Sequence, residues 1–419
     1  MLPDDRRNTG LAKETPGAGI KDFESQIDMV AMRAYRLGRV QAELKRRGYA
    51  AAVLYDPINI RYATGTRNMS VWTLHNHVRY AFVPAQGLPV LFEFGGTRFR
   101  PPAEKIETVG EIRAPQGWTY YYNGEKKAER AIGWADEMLD LVRETCGGER
   151  RIAFDHLDPV GTHLMEDRGI EIMDGEAVME TARMIKSREE IQCMQVAISV
   201  AEIGMARMRQ ALKPGMTENA LWAILHHANI EMGGEWIETR LLSSGGRTNP
   251  WMQECGERMI RPGDLVAFDT DLIGPFGYCA DISRTYFCGP GKPTEEQKTL
   301  YRAAFDQIQH NTEIVKPGLT FREIVEREWR IPNQYVAARY GLMHGVGMAD
   351  EYPFLPNIQG LDRLPDHDGV MEPGMTFSVE SYIGLEHGAE GVKLEDQIVV
   401  TETGVETLST FPFEDDLLS

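Results

Sequence analysis

Cysteine is scarce in this sequence. Five occur in 419 residues, Cys146, Cys193, Cys255, Cys279 and Cys288, and no two form a C-x-x-C pair. That scatter argues against a zinc ribbon and a disulfide framework and fits a reducing, cytoplasmic compartment. Basic charge is also short. Lys and Arg number 45 against 63 Asp and Glu, the formal net charge is −18, and no long basic run exists. Such a chain is not built to neutralise nucleic-acid phosphates, nor to lie on an anionic membrane. No apolar run reaches 18 residues, so no membrane span is expected. The opening MLPDDRRNTGLAKETPGAGIKDFESQ lacks the apolar segment of a signal peptide, and residues 1–26 read as a flexible arm.

What is present is ordinary for a soluble protein: 42% hydrophobic and 26% charged residues, with length for two or three domains. Residues 29–47 carry Met29, Val30, Met32, Leu37 and Val40 at helical spacing. Strands are expected at 51–55 and 150–155, a hairpin over 79–94 around Gln86-Gly87, and a helix over 126–145. This alternation predicts an N-terminal α/β domain over 27–183. A second domain over 184–419 is announced by Ser187-x-x-Glu190, a capping box. Its first helix carries Ile191, Met194, Ile198, Ala201, Met205 and Met208 on one face, a stripe that reads as core. LKPGMTENALWAIL from Leu212 and VKPGLTFREIVERE from Val315 repeat one pattern: a Lys-Pro-Gly turn, a Thr N-cap and an amphipathic helix. The second domain is therefore expected to contain two related halves.

The chemistry sits in FDTDLIGPFGYCADISRTYF, residues 268–287. Asp269, Asp271 and Asp281 stand among apolar residues, where an unpaired charge is costly. Downstream, YGLMHGVGMADEYP supplies His344, MTFSVESYIG supplies Glu380 and GVKLEDQIVVTETG supplies Glu395. Five acids and a histidine, each read as strand-borne in one domain, point to a metal site. Oxygen donors with one imidazole and no thiolate suit manganese, iron or cobalt better than structural zinc. Five carboxylates are too many for one divalent ion, which predicts a two-metal site with bridging carboxylates.

The order of these ligands, with EPGMTFSVE and KLEDQIVVTETG, resembles the pita-bread metalloenzymes, which include methionine aminopeptidase, proline aminopeptidase, prolidase and creatinase. The resemblance covers about residues 29–415. It implies an α+β chain whose C-terminal pita-bread catalytic domain has two pseudo-symmetric halves, preceded by a creatinase-like α/β domain, and usually a homodimer. Three departures separate this sequence from the peptidases of that family. Asp269-Thr-Asp271 carries an additional acid. Trp251 stands in SSGGRTNPWMQ, and Glu351 stands seven residues beyond His344; the peptidases keep a histidine at each of these two places.

The same departures, with GGEWIETRLL, RTNPWMQECG and MHGVGMADEYP, resemble one branch, the dimethylsulfoniopropionate (DMSP) lyases of the DddP type. That branch implies a dinuclear centre of iron, with manganese, cobalt and zinc as alternatives, held by Asp269, Asp271, Asp281, His344, Glu380 and Glu395. It implies Asp350 as proton-abstracting base and Tyr340 as an assisting group, though one residue is missing between Tyr340 and His344. The implied reaction is β-elimination of DMSP, or of a similar β-substituted carboxylate, to dimethyl sulfide and acrylate. An X-Pro metallohydrolase is the competing expectation.

A sulfonium attracts aromatic faces. Trp72, Trp251, Tyr278, Tyr286 and Tyr120 to Tyr122 are the aromatic candidates. Trp251 is favoured by its segment, and Trp72 by RNMSVWTLHNH, 67–77, read as a loop that could close a partner's pocket in a dimer.

Overall fold

The computed structural model describes residues 27–94, 103–338, 340–357 and 369–419. The arm expected at 1–26 lies outside them. The chain divides into two compact units after Arg183.

In the first unit, helix α1 (Met29–Arg47) starts where the Asp28 carboxylate accepts from the Ala31 amide and ends at Gly48, whose φ of 68° suits a residue without Cβ. Strand β1 (Ala51–Leu54) follows, then α2 (Pro57–Thr64), capped by the Asp56 side chain. A short helix, α3 (Ser70–His75), occupies the stretch expected to be a loop. Its turn is held by the Thr73 hydroxyl, which donates to the Met69 and Ser70 carbonyls, a local side-chain bond that periodicity cannot reveal. Strands β2 (Tyr80–Pro84) and β3 (Val90–Phe92) form the expected hairpin. Then come β4 (Glu111–Arg113), α4 (Lys127–Thr145), β5 (Arg151–Phe154), α5 (Pro159–Asp167), β6 (Glu171–Asp174) and α6 (Gly175–Arg183). The six strands make one mixed sheet in the order β4-β3-β2-β1-β5-β6. Val53, Phe82, Phe92, Trp134 and Met138 fill its core.

The second unit is built twice. Helix α7 (Arg188–Ala211) opens on the Ser187–Glu190 capping box, and the Met194, Met205 and Met208 side chains of its stripe are buried. A turn at Gly215 (φ 90°) leads to Thr217, which caps α8 (Glu218–Glu231). Strands β7 (Trp236–Ile237), β8 (Leu242–Ser244), β9 (Leu265–Asp269), β10 (Leu272–Ile273), β11 (Cys279–Ala280) and β12 (Ser283–Phe287) complete this half. The second half repeats the order. Helix α9 (Glu295–Glu313) opens on a Thr294–Gln297 capping box, a turn at Gly318 (φ 86°) follows, and Thr320 caps α10 (Phe321–Glu326). Strands β13 (Met343–Val346), β14 (Asp350–Leu355), β15 (Thr376–Gly384), β16 (Gly391–Val400) and β17 (Val405–Thr407) form one sheet, ordered β14-β13-β15-β16-β17.

The halves match in detail. The Gly215 amide donates to Ile260 and the Gly318 amide to Met371, at 2.9 and 2.8 Å. Each acceptor precedes a Pro-Gly turn, at Gly263 (φ 88°) and Gly374 (φ 90°). Six residues after each of these glycines stands a carboxylate, Asp269 on β9 and Glu380 on β15. Leu300, Tyr301, Ala304 and Ile308 of α9 pack on Phe377, Val379, Leu394 and Ile398 of the sheet, which fixes the strands that carry the site.

Candidate metal centre

Pairing between strands sets the carboxylates face to face. Asp269 on β9 lies opposite Ser283 on β12, and Glu380 on β15 lies opposite Glu395 on β16. Asp271 and Asp281 are not within strands, contrary to the reading that each ligand is strand-borne. They occupy the breaks between β9 and β10 and between β11 and β12. Asp271 has φ 36°, a left-handed conformation that ends a strand and that Asp tolerates better than most residues.

All six expected ligands come together. Ligand atoms of Asp281, His344 and Glu395 lie within 4.8 Å of one another, and so do those of Asp269, Asp271 and Asp281. Asp281 is common to both sets. His344 Nε2 points into the cluster, 3.3 Å from Asp281 and 3.4 Å from Glu380. Its Nδ1 is 3.0 Å from the Gly345 carbonyl. An imidazole oriented by a carbonyl on one nitrogen presents the other as a ligand. Asp269 Oδ1, Asp281 Oδ1 and Glu395 Oε1 are buried without hydrogen-bond partners. Buried carboxylate oxygens without donors require a cation, so this donor set fits the expected pair of metal ions.

Without that cation the electrostatics are severe. Burial, then the Asp269 charge, pushes Asp281 up to about 7, with His344 opposing. Burial and neighbouring carboxylates also raise Asp271 and Glu395 well above the carboxylate range. Burial acts on Asp269 in the same direction, but the Lys393 ammonium and hydrogen bonds hold it below its usual value. Burial opposes the charge on His344, yet Asp281 and Glu380 raise it well above an ordinary imidazole.

Sequence reasoning missed Lys393. Its side chain is fully buried among the ligands, with Nζ 2.5 Å from Glu380, 3.1 Å from Glu395 and 3.3 Å from Asp269. It donates to Ser283 Oγ at 2.8 Å, and that hydroxyl donates to Glu395 at 2.9 Å. A signal existed in GVKLEDQIVV: residues two apart on a strand share a face, so a ligand at 395 turns 393 toward the metals. Thr239, whose hydroxyl donates to Asp271 at 2.5 Å, left no such signal.

Around the cluster, Trp251 is buried, stacks on Tyr382 with centroids 6.1 Å apart, and lies 5.6 Å from the Lys393 ammonium. Tyr340 lies 5.7 Å from the same ammonium. Asp350 is the first residue of β14, just after the turn that joins it to β13, with Oδ1 3.9 Å from His344 Nδ1. Although 64% of its side chain is open to solvent, desolvation by the walls around it and then Asp269, Glu380 and Glu351 raise its carboxyl, against the pull of His344. The neighbouring Glu351 is committed elsewhere. It pairs with Lys186 at 2.7 Å, both side chains buried, and accepts from the Met348 amide at 2.9 Å.

The other aromatic candidates are not gathered at the carboxylate cluster. Tyr278 is buried with its hydroxyl on Glu190, and Tyr286 with its hydroxyl on the Met205 carbonyl. Tyr120 to Tyr122 are exposed in the first unit. Trp72 also belongs to the first unit, where it packs on Phe94 with centroids 5.0 Å apart.

Comparison with known proteins places this geometry in context. Residues 192–402 match the metallopeptidase family M24, and residues 36–185 match the creatinase/prolidase N-terminal domain. A dimethylsulfoniopropionate lyase DddP of Roseovarius nubinhibens is 40% identical over 93% of this chain and 88% of its own length. A dimethylsulfoniopropionate lyase DddP of Roseobacter denitrificans is 39% identical over the same shares. Among solved structures, an Xaa-Pro dipeptidase from Bacillus anthracis aligns with a TM-score of 0.71 at 21% identity, over 91% of this chain and 99% of that one. That likeness is one of fold.

Proposed function

We propose, for a chain that belongs to metallopeptidase family M24 and within it groups with the DddP lyases, that it cleaves dimethylsulfoniopropionate to dimethyl sulfide and acrylate. The observation that carries the reading is the contrast between two adjacent acids. Asp350 is open to solvent at the rim of the ligand cluster. Glu351, where the peptidases keep a histidine, is spent on Lys186.

Asp269, Asp271, Asp281, His344, Glu380 and Glu395 would hold two metal ions, iron in this reading, with manganese, cobalt and zinc as alternatives. When bound there, the ions would supply Lewis-acid charge that acidifies the carbon next to the substrate carboxylate. Asp350 takes the proton from that carbon. The electron pair left behind forms the carbon–carbon double bond, the carbon–sulfur bond breaks, and dimethyl sulfide leaves with the bonding pair. Acrylate remains, and Asp350 passes its proton to water. A carboxyl raised above its ordinary value is a stronger base for this task. In this reading the Trp251 ring contacts the dimethylsulfonium end, and Tyr340, which packs against the same cluster, assists.

Several wider assignments belong to the same proposal. Residues 27–183 are the creatinase-like domain and 184–419 the catalytic domain. The chain works as a cytoplasmic homodimer in which Trp72 closes the partner's pocket. No disulfide joins any of the five cysteines, in keeping with a reducing compartment, and no helix among the described residues is long and apolar enough to cross a membrane.

The test is direct. Purified protein loaded with ferrous iron and given DMSP should release dimethyl sulfide to the headspace and an equal amount of acrylate to solution. It should leave X-Pro dipeptides intact under the same conditions. Dipeptide turnover without acrylate would favour the metallohydrolase that the shared ligand set also permits.

A further inference from the structure

Lys393 has no part in the proposed elimination, and its ammonium is fully buried. Burying an unpaired cation costs several kcal/mol. Three of the six ligands, Asp269, Glu380 and Glu395, meet that cost, with Ser283 as a fourth partner.

Charge counting gives the arrangement a purpose. The five carboxylates and this one ammonium leave four negative charges, which two divalent cations cancel. Without the ammonium, two divalent cations would leave one negative charge buried. In the absence of metal, the same ammonium stands among Asp269, Glu380 and Glu395, from β9, β15 and β16, while His344 faces Asp281 and Glu380. Two aromatic rings, Trp251 at 5.6 Å and Tyr340 at 5.7 Å, complete its surroundings, so the residue that meets the ligands also seats the rim. The backbone supports this role: Lys393 and Glu395 share one face of β16, and β16 pairs residue by residue with the strand that carries Glu380.

We propose that Lys393 is the resident counter-ion of the metal centre: a positioning residue that holds Asp269, Glu380 and Glu395 together before metal arrives and sets the charge that two divalent ions neutralise. The proposal rests on the metal-centre reading above.

It makes an unintuitive prediction. Lys393→Met keeps the length of the side chain and removes the charge. The stripped protein should then suffer more than the loaded one, because the stripped protein loses a cation that holds Asp269, Glu380 and Glu395 together, whereas the loaded one is left with a single uncompensated negative charge. Calorimetry should show the stripped variant unfolding lower than the stripped parent by on the order of 5 °C. Between the loaded proteins the gap should be less than half as large. By linkage, a loss concentrated in the metal-free state means tighter metal binding. Titration with Mn²⁺ should accordingly give a dissociation constant roughly tenfold lower in the variant, an equilibrium shift of about 1.4 kcal/mol. Lys393→Arg keeps the charge and should stay close to the parent in both measurements.

Equal losses in stripped and loaded protein, with unchanged Mn²⁺ affinity, would make Lys393 a packing residue and overturn the proposal. So would a stripped variant as stable as its parent. If the parent takes up no metal, the metal-centre reading fails by itself. The melting of the stripped variants then still decides whether Lys393 holds the carboxylates together.

Discussion

Asp350 and Asp281 are both acids near one cluster, and they should fail in different ways. Asp281 is the acid common to both candidate metal-holding triads. Asp281→Ala should therefore lower metal content and lyase turnover together; elemental analysis showing full occupancy would remove it from the ligand set. Asp350 lies beyond the six ligands. Asp350→Asn keeps its size and removes its basicity, so metal content should hold while turnover falls by about a hundredfold or more. Measuring both quantities on one preparation separates a base from a ligand. Near-native turnover in Asp350→Asn would shift suspicion to Tyr340. The six candidate ligands could be found in the sequence because each is an acid or imidazole in otherwise apolar surroundings. Lys393 escaped because a lone lysine in a strand carries no such contrast, and its meaning depends on which strands meet it.

At the scale of elements, the duplicated turns and one charge pair are open to test. Gly215 and Gly318 each have positive φ, and each has open space where a Cβ would stand. Alanine at either should cost about 1 kcal/mol through backbone strain alone, and the two costs should agree if the halves are equivalent. Urea unfolding measures both. In the first unit, the Asp56 side chain caps α2 and faces His156, which follows β5, at 3.9 Å. The Asp56 carboxylate raises His156 above 6.5. Burial opposes the charge on Asp56, but His156 and the amides of Asn59 and Ile58 hold it below 3.8. A raised imidazole contributes stability that is complete below its unfolded value and lost as pH rises through the folded one; a depressed carboxylate loses its contribution as pH falls. His156→Asn should therefore lower the melting temperature at pH 6 and have little effect at pH 9. An equal gap at both values would show that the pair carries no linked stability.

The two Lys-Pro-Gly turns could be read from the sequence because Thr caps and Gly turns are local chemistry. The further match of Gly263 with Gly374, and of Asp269 with Glu380, could not: RPGDLVAFD and EPGMTFSVE share little beyond Pro-Gly. Their equivalence lies in hydrogen bonds to residues about forty-five to fifty-three positions earlier. The helix at 70–75 was missed for a related reason, since a single hydroxyl-braced turn has no period to detect.

For the molecule as a whole, the division after Arg183 makes chelation informative. All six proposed ligands lie in the second unit. A ligand that binds only the folded form raises the stability of the unit that holds it. Removing metal should lower the unfolding of residues 184–419 and leave that of the first unit where it was. Hydrogen exchange resolved along the chain would read the two separately. A uniform loss of protection would mean that the units share one stability.

The Lys186–Glu351 pair has a consequence for ancestry. Restoring a peptidase-like histidine at 351 alone would leave the Lys186 ammonium buried without its carboxylate, at a cost of about 3–5 kcal/mol. Changing Lys186 first would take the ammonium from the buried Glu351, which would keep the Met348 amide. Neither single step is cheap, whereas the double change, with an apolar residue at 186, avoids both stranded charges. The pair is thus a ratchet: once a lineage has acquired it, drift by single substitutions does not lead back, and the histidine becomes accessible only to a chain with stability to spare.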